Sequence, residues 1–223
     1  MGQFVCIIIG YFIGALIQTS YWYGRFKKVD IRTMGSGNAG TTNATRMLGK
    51  KAGIITAIGD VSKVFLAALI CWLIYSDAAP TTLIFLCSGL GTVLGHNYPF
   101  YMGFKGGKGV ATTCGVIISL FFMPNNCWIM TIIGVITFFV VLYTKGYAAV
   151  ASLTLVSEFL IEFIIWGASG NLELHQGDLA QGMIIVIIIV GLTFFRHRSN
   201  INRLLNNTEH RFDFGNKSKK ENR

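Results

Sequence analysis

The chain has 223 residues, of which 52% are hydrophobic and only 13% charged, and its formal net charge is +9. A soluble domain carries about 25% charged residues, so this composition excludes an ordinary soluble globular protein. The excess of Lys and Arg marks the cytoplasmic side of a membrane and an anionic substrate or lipid surface; nucleic acid is not expected as a partner.

The first apolar segment covers 3–23, within the roughly 17–25 residues that a spanning helix needs. No basic stretch precedes it, so it does not read as a cleavable signal. The loop over 24–52 contains GSGNAGTTNATRMLG from Gly35 to Gly49. Its glycines let several backbone N–H groups turn toward one anion. Ser36, Asn38, Thr42 and Asn43 add neutral hydrogen-bonding groups, and the Arg46 guanidinium can fork two phosphate oxygens.

The second apolar segment, 53–76, carries Asp60 and Lys63 three residues apart, a spacing that lets them pair inside the membrane. The third, 79–95, ends at His96. The loop over 96–108 continues as HNYPFYMGFKGGK. Lys105 and Lys108, with Gly106 and Gly107 between them, are placed to grip one phosphate or two neighbouring ones.

Further segments cover 109–123, 127–143, 147–168 and 180–195. The short 109–123 segment reads as a crossing or as a re-entrant helix. Glu158 and Glu162 lie one turn apart in the sixth segment, with no partner evident. After the last segment comes Arg196-His197-Arg198-Ser199-Asn200, where His197 and Asn200 share a face if the helix continues. The five cysteines lie in or beside apolar runs and read as small buried hydrophobes.

Charge orients the chain. With the N-terminus outside and seven crossings, every Lys and Arg except Lys63 falls on the inner side, and the outer turns carry only Asp77, Glu173 and Asp178. That is the positive-inside pattern. Both glycine-rich loops and the basic tail over 206–223 then face the cytoplasm. The fold class is therefore an all-α integral membrane protein of about seven transmembrane helices, one domain over 1–205.

Two nucleotide motifs match only formally. Gly35-x-Gly37-x-x-Gly40 lacks the preceding strand of a dinucleotide fold, and Gly103 to Gly109 lacks the first glycine and the Ser/Thr of a phosphate-binding loop. Asp60, Glu158 and Glu162 leave open a transporter of an organic phosphate, although no repeat of two halves is evident.

The string from Gly35 to Gly49, that from Gly95 to Gly115, and the tail from His197 through Glu209 to Phe212 resemble the signatures of the bacterial acyl-phosphate:glycerol-3-phosphate acyltransferases (the PlsY family). The resemblance implies transfer of a fatty acyl group from acyl phosphate to the 1-hydroxyl of sn-glycerol 3-phosphate, giving lysophosphatidic acid, in the bacterial cell membrane. It implies neither acyl-CoA nor any cofactor or metal. It places Ser36, Thr42 and Arg46 on the donor phosphate, assigns Lys105, His197 and Asn200 to glycerol 3-phosphate, and gives His96 a supporting role. Asn38, Asn43, Gly106, Gly107 and Lys108 complete the expected substrate-binding set. The third motif departs: Gly146 is an addition, and Ala149 stands where a serine is expected. An inactive family member is the alternative that this departure suggests.

Overall fold

The computed structural model describes residues 2–122, 127–172 and 174–212. Ten helices follow one another: α1 Gly2–Leu16, α2 Thr19–Phe26, α3 Thr41–Leu48, α4 Lys50–Tyr75, α5 Thr81–Asn97, α6 Val110–Ser119, α7 Trp128–Lys145, α8 Ala148–Ala168, α9 Gln176–Arg196 and α10 Arg198–Leu205. No strand occurs among the described residues. Five stretches are long and apolar enough to cross a membrane: the α1–α2 pair, α4, α7, α8 and α9. The expected acid Glu173 and the tail cations Lys217, Lys219, Lys220 and Arg223 lie outside the described residues.

The fold is built around α5. Fourteen of its seventeen residues are buried, and it packs against α1, α4, α6 and α9. Its contact with α1 is set by glycines. A methyl at Gly10 or Gly14 would strike the backbone of Ser88 or Thr92, and one at Gly91 or Gly95 would strike that of Ile7 or Tyr11. Small residues four apart on both helices let the backbones approach closely, the usual device where lipid supplies no hydrophobic drive between helices. Outward from this core, Ile58, Leu73, Phe139, Ile161 and Ile184 are exposed on α4, α7, α8 and α9. In water such a surface is a liability; in lipid it is the expected one.

Two expected spans differ in form. The segment over 3–23 is not one helix but α1 and α2, broken at Ile17–Gln18. The break leaves buried backbone groups that need partners. The Gln18 side chain supplies some, donating from Nε2 to the carbonyls of Gly14 at 2.9 Å and His96 at 3.2 Å. The segment over 109–123 is α6 followed by a 3-10 turn over Leu120–Phe122. At 1.5–2 Å per residue it is about 20 Å long, short of the ~30 Å hydrocarbon core.

Candidate functional site

A cavity of about 1240 Å³ opens where the ends of α5, α7 and α9 meet the starts of α3, α4, α6 and α8. The polar segments singled out in the sequence meet there. Ser36, Asn38, Thr42, Asn43 and Arg46 come from the first loop, Lys108 from the second, and His197 and Asn200 from the tail.

The first loop owes its shape to Asn43. Its buried amide donates from Nδ2 to the carbonyls of Ile31 at 3.2 Å and Met34 at 3.0 Å, while Oδ1 accepts from the Ser36 N–H at 3.1 Å. Asn43 lines the cavity, but its amide is engaged with the loop backbone. Gly35 and Gly37, with φ of +56° and +70°, make the turn that side chains rarely permit. The chain then enters α3 at Gly40, with no side-chain cap. The first N–H groups of α3 therefore have no partner in the helix, and Thr41, Thr42 and Asn43 line the cavity. A helix start of this kind favours an anion. Among the described residues Arg46 has no ion pair, and it is exposed on the wall.

The second loop folds back under α5. Gly106 and Gly107 donate their N–H groups to the carbonyls of Asn97 and His96, both at 3.1 Å. From the other side the Arg196 guanidinium donates to the carbonyls of Gly106 at 2.9 Å and Gly107 at 2.8 Å. A methyl on Gly106 would strike the His96 carbonyl, and one on Gly107 the His96 ring. These glycines form a buried scaffold rather than wall. Lys105 is exposed and stands off the cavity wall, whereas Lys108 lies on it. Gly109, left-handed with φ of +83°, then starts α6 toward the cavity.

Across from this loop, Lys108 Nζ donates to Asn200 Oδ1. Asn200 Nδ2 donates to Glu209 Oε1 at 2.7 Å, and Glu209 Oε2 accepts from Arg203 Nε at 2.7 Å. Burial brings the Lys108 ammonium down to about 8; Glu209 opposes the shift, and the Arg203, Arg196 and Arg46 charges add to it. His197 is buried, and its Nδ1 lies 2.8 Å from the Thr193 carbonyl. Since a carbonyl only accepts, Nδ1 carries the proton, and Nε2 of the neutral ring keeps a lone pair. Burial first, and the Lys108 charge second, lower His197 to about 4.

The floor is a buried ionic cluster. Lys63 Nζ donates to Asp60 Oδ1 at 2.9 Å and lies 2.7 Å from His96 Nδ1, and Asp60 Oδ1 lies 3.5 Å from the same nitrogen. The Asp60–Lys63 pair expected from the sequence is present and includes His96. Asp60 and His96 also line the cavity. Glu158, in α8, accepts from Thr137 Oγ1 of α7 at 2.9 Å, a partner that the sequence did not indicate. It and Glu162 lie off the cavity.

Ile54, Ala57, Val61, Cys114, Phe138 and Phe139 extend the cavity between α4, α6 and α7 as an apolar groove. Ala149, at the position where a serine is expected, is on the wall. Ser152 shares the wall, but its Oγ donates to the Ala148 carbonyl at 2.7 Å. The wall also carries residues to which the sequence assigned no role, among them Arg203, Glu209, His210 and Arg211. Basic and acidic residues beyond the last span look like ordinary solvated tail, and only the fold-back of 206–212 brings them in.

The geometry joins two features: a cationic, glycine-shaped chamber and an apolar groove opening from it. Residues 4–207 match the family model described as Glycerol-3-phosphate acyltransferase. The chain is 36% identical over 207 residues to the glycerol-3-phosphate acyltransferase of Aquifex aeolicus, covering 92% of this chain and 97% of that one. To the corresponding protein of Fusobacterium nucleatum it is 38% identical over 218 residues, covering 96% and 100%. Two crystal structures of PlsY (YgiH), an integral membrane glycerol 3-phosphate acyltransferase, share the fold at 33% identity over 96% of both chains. The TM-score is 0.77 for the glycerol 3-phosphate form and 0.75 for the lysophosphatidic acid form.

Proposed function

The chain belongs to the glycerol-3-phosphate acyltransferase family, and from that membership we propose how its cavity performs the reaction. The protein is an integral membrane acyltransferase that acylates glycerol 3-phosphate to lysophosphatidic acid. In our reading the donor is a fatty acyl phosphate. Its tail lies in the groove between α4, α6 and α7. Its phosphate sits at the start of α3, against Ser36, Thr42 and Arg46. Glycerol 3-phosphate sits opposite, its phosphate on Lys108 and Asn200 and its 1-hydroxyl toward His197 Nε2. His96 braces the centre from the floor. Lys105 lies off the wall, so the grip expected of it falls to Lys108 in this arrangement.

The carrying observation is one chamber, lined by three sequence-distant polar segments and continuous with an apolar groove. Both substrates bring phosphate, and phosphate is already a good leaving group. The largest tasks are to hold two anions together and to orient a hydroxyl on a carbonyl. The glycerol oxygen forms a bond to the acyl carbon, the bond from that carbon to the phosphate oxygen breaks, and the hydroxyl proton passes to the departing phosphate. A stable acyl-enzyme on Ser36 would sink this route.

We also place the site at the cytoplasmic face of the bacterial cell membrane, with the N-terminus outside and the basic tail inside. Alternation supports this. α4, α6 and α8 start at the cavity, whereas α5, α7 and α9 end there, so all six run antiparallel to their chain neighbours. With the α1–α2 pair, and the short α6 taken as a crossing, this reading has seven passes in one domain. Cysteine labelling from either side of sealed vesicles tests the assignment: residues in the tail should react only from within.

The deciding assay supplies purified protein with acyl phosphate and glycerol 3-phosphate and measures lysophosphatidic acid. Product is expected with acyl phosphate and not with acyl-CoA. Turnover with acyl-CoA alone would refute the donor assignment.

A further inference from the structure

One guanidinium on the cavity wall has no part in the reaction above and, among the described residues, no ion pair. Arg203 is held by Glu209 and Arg196 by two glycine carbonyls. Arg211 lines the cavity, but no ion pair among the described residues includes it. Its guanidinium lies 5.7 Å from the centroid of the Tyr147 ring.

Its position is built. After α10 the chain turns back, and the Phe212 N–H donates to the Gly146 carbonyl at 2.7 Å. Gly146 ends α7 in the left-handed region at φ +73°, which a side chain resists. Three residues earlier, Glu209 is tied to Asn200 and Arg203. Arg211 is thus suspended between two anchors across the α7–α8 turn. Two residues beyond Tyr147 in that turn lies Ala149, on the wall without a hydroxyl. The added glycine borders the Arg211 side chain, and Ala149, where a serine is expected, lines the same cavity.

We propose that Arg211 is a substrate phosphate-binding residue of this site, held over the cavity by the 206–212 strap and taking the contact that Ala149 cannot make. A planar fork packed on an aromatic ring at the cavity wall suits a phosphate bidentately. The proposal rests on the acyltransferase reading. The ligand chemistry is a phosphate monoester or an acyl phosphate, and the kinetics tell them apart.

The test uses the purified full chain, with KM for acyl phosphate and for glycerol 3-phosphate measured separately in wild type, Arg211→Ala, Arg211→Lys, Ala149→Ser and the Ala149→Ser/Arg211→Ala double variant. Arg211→Ala should raise one KM roughly tenfold, as loss of one charge-assisted contact does, and leave the other within about twofold. The affected substrate is the one Arg211 holds. Ala149→Ser should recover part of that loss in the Arg211→Ala background and add little to wild type, the coupling expected of two groups on one ligand. Unchanged KM values in Arg211→Ala, or an equal gain from Ala149→Ser in both backgrounds, would overturn the proposal. Thermal stabilisation by inorganic phosphate in detergent needs no turnover, so it separates this inference from the enzyme assignment. A smaller stabilisation in Arg211→Ala supports the proposal even if the assay finds no product, and equal stabilisation refutes it.

Discussion

Lys63 Nζ donates at 2.9 Å to the carbonyl of Ile17, the residue at which the first apolar stretch breaks into two helices. The same ammonium meets Asp60 and the His96 ring. One buried charge therefore satisfies a broken span, balances an intramembrane carboxylate and holds the His96 ring at the cavity floor. The break and the ionic cluster are one feature: each supplies the partner that the other needs in a medium without water.

Replacing Lys63 by Met should consequently be costly. Removing one partner of a buried pair leaves an uncompensated charge, at about 3–5 kcal/mol. Asp60→Asn combined with Lys63→Met should recover part of that loss. Thermal unfolding in detergent checks both, and a Lys63→Met protein as stable as wild type would dismiss the cluster as a structural element.

Arg46 stands exposed on the wall with no ion pair among the described residues. Arg46→Ala should leave insertion and melting unchanged and lower turnover by about 10²–10³-fold, the scale seen when a charge-stabilising donor is removed. Arg46→Lys should recover little, because an ammonium does not reproduce a bidentate fork. Normal lysophosphatidic acid formation by Arg46→Ala would remove it from the site.

The two lysines of the second loop should separate. Lys108 touches Asn200 on the wall, and Lys105 is exposed and not part of that wall. Lys108→Ala is expected to raise KM for glycerol 3-phosphate by at least about tenfold, the loss of a charge-assisted contact, whereas Lys105→Ala should change it by no more than about threefold. The reverse order would restore the role that the family resemblance assigned to Lys105.

Two groups predict a pH response. Lys108, brought down to about 8 by burial, is charged below that pH and loses its charge above it. kcat/KM, which reports the free enzyme, should fall above about pH 8, whereas kcat should hold to higher pH because bound phosphate favours the ammonium. His197, lowered to about 4, is neutral in the fold while the unfolded ring takes up a proton near 6.5. Between those values the unfolded state binds more protons, so stability should fall by roughly 3 kcal/mol as pH drops from about 6.5 to 4, and change little above 7. A His197→Asn protein with the same acid dependence of melting would assign that loss elsewhere.

Gly107 is confined by the His96 ring and the Ala39 carbonyl. Gly107→Ala should displace His96 and lower kcat by about 10²-fold, the usual cost of misplacing a reactive group by an ångström or so. The effect should be on turnover more than on melting, because the loop lies outside the α1–α5 contact. Retained kcat would show that His96 does not need its present position.

The sequence by itself determined that the chain lives in lipid, that it is helical, and that its two glycine-rich loops carry the groups of an anion cradle. Those properties are local: length and hydropathy define a span, and glycines beside hydroxyls and cations define an anion cradle whatever surrounds them. It also displayed the Asp60–Lys63 pair, since three residues of helix bring the two together. It did not display the break at Gln18, because a glutamine in an apolar run looks like a tolerated polar residue until the carbonyls it serves on α5 are known. The glycine pairs of α1 and α5 carried a recognisable spacing, but only packing shows which helix each faces. Only the tertiary structure decided which cations face the cavity. Lys105 and Lys108 are equivalent as sequence, but the fold of the loop between Gly103 and Gly109 leaves one exposed off the wall and places the other on it. Arg211, in an ordinary basic tail, reaches the wall because the backbone of Phe212 hydrogen-bonds to Gly146, sixty-six positions earlier in the chain. Contacts between such distant residues depend on how helices pack, and no local pattern records them.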